Sequence, residues 1–272
     1  MEIKCLPFVQ WTGGKRRMLE HIEPRLPENA NHYYEPFLGG GAVFFATKSK
    51  FKNHTLSDVN SRLINTYVAV QRNPEKVYEN LQYHYSCHGR EHYEEVKQTI
   101  DKGEPEDTAA KLLYFTRNTY KTVYRENQNG NLQGTFNTSY RVVNSETFNI
   151  TLANTKKLID SASRQLQGVS ITCNDFSHLS PKTGDFVYLD PPYFNSDLGE
   201  KGYSACGFAE DEHIRLKNWI DDLDRNGVHF MLSMGGSQIV EKYLYSKYKI
   251  EKFPIKYKMS RKEKNELLIR NY

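Results

Sequence analysis

The feature that most restricts this chain is the run Phe186-Val187-Tyr188-Leu189, which passes straight into Asp190-Pro191-Pro192-Tyr193. The apolar run reads as a strand from about Asp185 to Leu189, and the two prolines end it, because each fixes its backbone and lacks an amide donor. Open α/β sheets bind ligands beyond the carboxyl ends of their strands. At such an end the Asp190 carboxylate and the Pro191 carbonyl face outward as two acceptors. An amino group offers two hydrogens to accept, and accepting both draws electron density onto its nitrogen and orients the lone pair. Tyr193 adds an aromatic face for a flat base. The structural alternative is a rigid exit from strand to loop.

A second motif sits near the amino terminus. A strand ending at Tyr33-Tyr34-Glu35 runs into Pro36-Phe37-Leu38-Gly39-Gly40-Gly41, and the next strand, Thr55-Leu56-Ser57, ends at Asp58. Glycines directly after a strand allow a tight turn and close approach of a ligand to the backbone. The spacing from Glu35 to Asp58 suits a carboxylate that holds ribose hydroxyls. The pattern is not the phosphate-cradling Gly-x-Gly-x-x-Gly, and Glu35 would repel phosphate. A nucleoside cofactor without phosphates fits better; the alternative is a purely structural glycine turn.

Around these motifs the chain alternates strand and helix. Further strands are expected at Val169 to Cys173, Val228 to Ser233, Tyr248 to Phe253 and Leu267 to Arg270. Helices are expected from Ala42 to Lys48, Ser61 to Gln71, Glu146 to Gln165, Glu210 to Leu223 and Gly236 to Leu244. From about Asn73 to Ser145 the character changes. Helical patterns such as Thr108 to Tyr120 lead to a hairpin signalled by Asn129-Gly130, between Val123-Tyr124-Arg125 and Thr135-Phe136-Asn137. Since a βα repeat takes about 30 residues, the distance from Glu35 to Asp190 leaves an excess, an insert in an α/β sheet.

Composition narrows the class. Hydrophobic residues make up 38% and charged residues 26%, as in a globular domain. The longest apolar runs are strand-sized, so no membrane span is expected. Pro7, Gln10 and Lys15-Arg16-Arg17 break up any leader-like core, so a cytoplasmic protein is expected. None of the four cysteines forms a Cys-x-x-Cys pair. The net charge of +4 says little about a nucleic-acid partner, although basic residues crowd the stretch from Lys242 to Lys264. His84, Cys87, His88 and His92 resemble a zinc set at helical spacing, but an amphipathic helix with Tyr83, Tyr85 and Tyr93 explains them as structure, and no metal is expected.

In combination, Pro7-Phe8-Val9-Gln10-Trp11-Thr12-Gly13-Gly14-Lys15, the Glu35 to Gly41 motif and Asp190 to Tyr193 resemble the Dam family of DNA adenine-N6 methyltransferases, from about Pro7 to the carboxyl terminus. The resemblance implies a Rossmann-like S-adenosylmethionine-dependent methyltransferase sheet with helices on both faces (1–63 and 146–272) and a mainly helical target recognition domain with a β-hairpin (64–145). It implies that Trp11, Gly13, Lys15, Glu35, Phe37, Gly39, Gly40, Asp58, Asp175, Phe176 and Asp190 serve S-adenosyl-L-methionine, with Asp175-Phe176 beside its adenine. Asp190, Pro191, Pro192 and Tyr193 would be catalytic, with Phe194 as a further stacking ring. Lys15, Tyr120, Lys121, Arg125, Asn137, Arg261, Lys262 and Lys264 would meet double-stranded DNA: Arg125 reads guanine and Tyr120 enters the stack as the target base flips out. The family implies a monomer, acting separately from any cognate restriction endonuclease. Lys121-Thr122 and Phe136-Asn137-Thr138-Ser139 depart from the family pattern, which bears on a GATC target rather than on the chemistry.

Three other classes share parts of this pattern. An RNA or protein-glutamine amino methyltransferase uses the same Asp-Pro-Pro-Tyr geometry, and a cytosine-N4 enzyme commonly carries Ser in place of the Asp. A non-enzymatic DNA-binding descendant would not need Asp190 to Tyr193 intact. Cytosine-C5 chemistry needs a nucleophilic cysteine, usually after proline, and no cysteine here follows one.

Overall fold

A computed structural model describes residues 6–120, 124–137, 146–193, 208, 210–236, 240, 244–256 and 263–272. The strands are β1 (His32–Glu35), β2 (Asn53–Ser57), β3 (Arg125–Glu126), β4 (Leu132–Gln133), β5 (Ser170–Thr172), β6 (Phe186–Leu189), β7 (His229–Gly235), β8 (Lys249–Lys256) and β9 (Glu263–Arg270). The main helices are α1 (Leu19–Ile22), α2 (Ala42–Thr47), α3 (Ser61–Arg72), α4 (Pro74–Ser86), α5 (Arg90–Gln98), α6 (Pro105–Asn118), α7 (Glu146–Leu166) and α8 (Glu210–Arg225).

Seven strands form one sheet in the order β5-β2-β1-β6-β7-β9-β8. The first five in that order run parallel, and β9 lies antiparallel between β7 and β8. All four residues of β6 are buried, as expected of a central parallel strand covered on both faces. Its pleat sorts them: Phe186 and Tyr188 join one core with Tyr33, Phe51 and Leu56. Val187 and Leu189 join a second core, with Leu216, Ile220 and Leu223 of α8. The strand order reverses between β1 and β6, and at such a switch point a crevice opens beyond the carboxyl ends of the strands.

Local chemistry sets the helix starts. The Asn60 side chain accepts from the Leu63 amide and caps α3, while Pro74 and Pro105 occupy the first turns of α4 and α6, where the missing amide is harmless. The residues of α6 from Ala109 to Asn118 are all buried, because α3, α4 and α5 pack around it. The expected boundary at 63/64 falls inside α3, which also packs on α7.

Two expectations need correction. The hairpin pairs closer to its turn than Val123 to Arg125 with Thr135 to Asn137: Arg125 faces Gln133 and Glu126 faces Leu132, with a separate bridge from Thr119 to Phe136. The Asn127 side chain organises the turn, accepting from the Asn129 and Asn131 amides at 3.0 and 2.9 Å, and Gly130 takes a positive φ. The single amphipathic helix through the histidines is two helices, α4 and α5, because the chain leaves the helix at Cys87 and is extended at Gly89. Most of the expected helix from Gly236 to Leu244 lies outside the described residues, as do residues 195–207. Among the described residues no helix is long and apolar enough to cross a membrane.

Candidate active site

Three carboxylates meet the switch point. Glu35 ends β1, Asp58 follows β2 and Asp190 follows β6, and β1 pairs with both of the other strands. Glu35 is buried; it accepts from the Tyr33 hydroxyl at 2.7 Å and from the Phe44 amide. Burial pushes its carboxyl up to about 8, with Asp190 and Asp58 adding to the rise against those two hydrogen bonds. The turn after β1 is tight: Gly39 has φ +47°, and a Cβ there would lie 3.1 Å from Trp11 Cδ1. The Gly39 amide donates to Asp58 Oδ2 at 3.0 Å, so the glycine turn and the carboxylate after β2 are one unit. Trp11 also lies against the Gly40 position.

The second half of the site forms around Lys15, which is buried (6% exposed). Its Nζ lies 2.5 Å from Asp190 Oδ1, donates to the Gly13 carbonyl at 3.2 Å and sits 4.9 Å from the Tyr193 ring centre. Burial pushes the Asp190 carboxyl up to about 6, opposed by Lys15 and reinforced by Glu266. The Tyr193 hydroxyl donates to the Glu266 carboxylate. A Cβ on Gly235 would come within 2.9 Å of Tyr193 Cδ2, so the ring occupies the space the glycine leaves. Pro191 is buried and Pro192 partly so; Phe194 is outside the described residues.

Asp175 and Phe176 follow β5, but the aspartate is already engaged. Arg215 grips it in bidentate fashion at 2.6 and 2.8 Å and holds it well below the usual carboxylate range. Phe176 packs against Phe37 at 5.6 Å and Trp219 at 5.4 Å, under the Arg215 guanidinium at 4.2 Å. Phe37 and Phe176 thus form an aromatic wall near the turn after β1.

On the insert, Tyr120 is exposed (56%) and its amide is held by the Thr135 carbonyl. Arg125 is exposed on β3, and the Asn137 amide bonds the Asn118 carbonyl. Lys121, Arg261 and Lys262 lie outside the described residues, and of Lys264 only its place in β9 is described. Part of the basic carboxyl-terminal stretch is internally neutralised: Lys247 pairs with Asp221 at 3.1 Å. The histidines are structural neighbours of α6. His84 Nε2 meets Asp107 and Nδ1 meets His92, both at 3.0 Å, while His88 bonds Tyr114. Among the described residues no three His, Cys, Asp or Glu side chains are placed to hold a metal ion.

The residues that sequence reasoning missed are Glu266 and Gly235. The readable signal for Glu266 was an acid directly before the apolar run Leu267-Leu268-Ile269 of the last strand.

The charge set discriminates among ligands. Glu35, Asp58 and Asp190 gather at the strand ends with Glu266 behind Asp190, and among the described residues Lys15, paired with Asp190, is the cation that meets this group, so acids outnumber bases in the crevice. It disfavours phosphates and suits a cationic nucleoside such as one bearing sulfonium and ammonium groups. A seven-stranded, mostly parallel sheet with acids at the ends of adjacent strands is a Rossmann-like methyltransferase fold. The family is narrower than that. The D12 class N6 adenine-specific DNA methyltransferase family model matches residues 11–259, and the chain belongs to this family. It is 35% identical to the Type II methyltransferase M1.LlaDCHI of Lactococcus lactis subsp. cremoris over 92% of this chain and 88% of the relative. It is 30% identical to the Type II methyltransferase M.MjaIII of Methanocaldococcus jannaschii over the full length of both. A DNA adenine methylase of Haemophilus influenzae is 26% identical over 76% of this chain and 71% of its own length.

Proposed function

We propose that the protein transfers a methyl group from S-adenosyl-L-methionine to N6 of an adenine flipped out of duplex DNA, within GATC or a related short site. The observation that carries the reading is the ion-paired Asp190 carboxylate beside Glu35 where the strand order reverses. Trp11, Gly13, Gly39 and Gly40 line the cofactor's bed, Glu35 takes its cationic end, Asp58 its ribose, and Phe37 and Phe176 its base. Bound there, S-adenosylmethionine supplies an electrophilic methyl group. Asp190 and the Pro191 carbonyl accept the two amino hydrogens, and Lys15 keeps Asp190 ionised for that work. Pro192 stiffens the exit, and Tyr193, its ring fixed by Glu266 and Gly235, stacks the base. Extrusion is required because N6 is unreachable inside a duplex.

In this reading residues 64–145 form the target recognition domain. Arg125 reads a guanine edge, the exposed Tyr120 fills the vacated stack, and Lys121, Asn137, Arg261, Lys262 and Lys264 contact DNA. Asp175 holds Arg215 over Phe176 and so serves the adenine wall indirectly. The protein works as a cytoplasmic monomer, and a cognate restriction endonuclease, where one exists, acts separately; the type II names of two relatives support that pairing.

The test is transfer of a tritiated methyl group to duplex DNA, RNA and protein, followed by mapping of the modified base. Label in N6-methyladenine of DNA is expected, and Asp190→Ala is expected to abolish it while binding of the cofactor analogue sinefungin persists. Label confined to RNA, protein or cytosine would defeat the reading.

A further inference from the structure

Two residues beyond Asp58 the chain enters α3, and the first turn of that helix holds the hairpin that carries Arg125. Asn60 makes three commitments at once. Its amide donates to Asp58 Oδ1 at 3.0 Å, its side-chain oxygen caps α3, and its side-chain nitrogen reaches Glu126 Oε1 at 3.4 Å. Arg62 then forks. Nε and Nη2 lie on the two oxygens of Asp101, each at 2.6 Å, while Nη1 donates at 2.9 Å both to Glu126 Oε1 and to the Gly130 carbonyl at the hairpin turn. Strand and turn of the hairpin therefore hang on one guanidinium whose side chain is 18% exposed.

A second path returns to the cofactor turn. The Tyr124 ring stacks on Trp11 with centres 4.4 Å apart and planes at 28°, and Trp11 rests on Gly39, whose amide holds Asp58. The Tyr124 hydroxyl donates to Glu126, closing a loop of contacts from Asp58 through Asn60, Glu126 and Tyr124 to Trp11 and back. Side chains alternate along an extended segment. Tyr124 is buried and Glu126 is turned inward to Arg62, while Arg125 between them is exposed. A shift of Asp58 or the glycine turn would therefore pass to Glu126 and Tyr124, the two neighbours of Arg125.

We propose that Glu126, Asn60 and Arg62 are positioning residues that couple occupancy of the nucleoside site to target recognition by Arg125, so that cofactor and cognate DNA each tighten the other's binding. The inference rests on the proposed function, with Asp58 as ribose ligand and Arg125 as base reader. Coupling of this kind is reciprocal: the factor by which one ligand strengthens the other is the same from either side, commonly 5- to 150-fold.

The experiment measures that factor in the full chain. Sinefungin affinity is determined with and without the duplex the enzyme methylates, and affinity for that duplex with and without sinefungin. For the parent, about a tenfold gain is expected from both directions. Glu126→Ala and Arg62→Ala should bring the factor to about one while sinefungin affinity without DNA stays within about twofold. Asn60→Ser, which keeps a capping hydroxyl for α3, should lower the factor several-fold and preserves the test if the other variants fail to fold. Arg125→Ala should weaken DNA binding with sinefungin affinity unaltered. A parent that binds both ligands with a factor near one, or variants that keep the parent's factor, would overturn the coupling and leave the proposed function standing. A parent that binds no sinefungin or methylates no DNA would overturn both.

Discussion

Replacing Lys15 by Met keeps an apolar stem against Tyr193 and removes the cation that, among the described residues, pairs with Asp190. In the parent, burial raises the Asp190 carboxyl to about 6, with Lys15 the largest opposing influence. An opposite charge this close lowers a carboxylate by about 1 to 3 units. Its loss therefore moves the acidic limb of activity from about 6 to about 7–9. At pH 7 the parent is about nine-tenths ionised at Asp190, and a variant limb near 8 leaves about one-tenth, so kcat/KM should fall about tenfold. The deficit should close by about pH 9. The assay is methyl transfer to a cognate duplex between pH 5 and 9.5, at saturating cofactor so that Glu35 does not shape the profile. A loss of the same size at every pH would refute the reasoning and leave Lys15 as a DNA contact or structural prop.

A Glu35→Gln variant should be more stable than the parent without cofactor at alkaline pH. The folded-state pKa of about 8 exceeds the ordinary 4.5, so the folded state binds the extra proton and stability declines as pH rises from about 4.5 to about 8, by a few kcal/mol at most. Thermal unfolding at pH 5 and 8.5 checks it, and an unchanged pH slope in the variant would count against the assignment. In a double-mutant cycle of Tyr193→Phe and Glu266→Leu, each change should lower kcat several-fold and the pair no more than either alone, because both remove one hydrogen bond; additive losses would separate Glu266 from Tyr193. Sinefungin, with its extra amine, should bind about tenfold more tightly than S-adenosylhomocysteine, since the cationic amine meets an acid-rich crevice and favours the ionised form of Glu35; titration calorimetry showing equal affinities would remove the electrostatic argument for the cofactor.

The parts of the fold legible in the sequence were those governed by local pattern. The run Phe186 to Leu189 could only be a covered strand, the acids Glu35 and Asp58 sat at strand ends, and the helix expected from Thr108 to Tyr120 lay close to α6. What escaped was set by tertiary contact. The β9 strand is antiparallel between β7 and β8, an arrangement that Leu267 to Arg270 alone does not encode. The hairpin register depends on Asn127 folding its side chain into the turn and on Arg62 holding Glu126 and Gly130 from α3. The histidine helix broke at Cys87 to Gly89 because α4 and α5 pack around α6, which periodicity along one helix does not report. At the site, Lys15 was expected near cofactor and DNA; its ion pair with Asp190 brings together residues 175 positions apart, and only the fold shows it.

The places where this chain departs from what folding alone favours are concentrated at the switch point. Glu35 is a buried acid without a cation among its hydrogen-bond partners in the described residues, Gly39 takes a left-handed turn against an indole, and Glu266 is a buried carboxylate directly before the apolar run Leu267-Leu268-Ile269. Each weakens the empty protein in isolation: burying a carboxyl group opposes folding even when hydrogen bonds offset part of the cost, and a glycine gives up conformational freedom on ordering. Their convergence has a common reason. In the proposed function, an acid-rich crevice with an open backbone turn would be completed by a positively charged nucleoside, and strand ends at a reversal of sheet order can present such groups without disturbing the core beneath. The hairpin then has a physical reason to hang on the start of α3. Anchored two residues from Asp58, it rests on the segment that the ligand itself would stiffen.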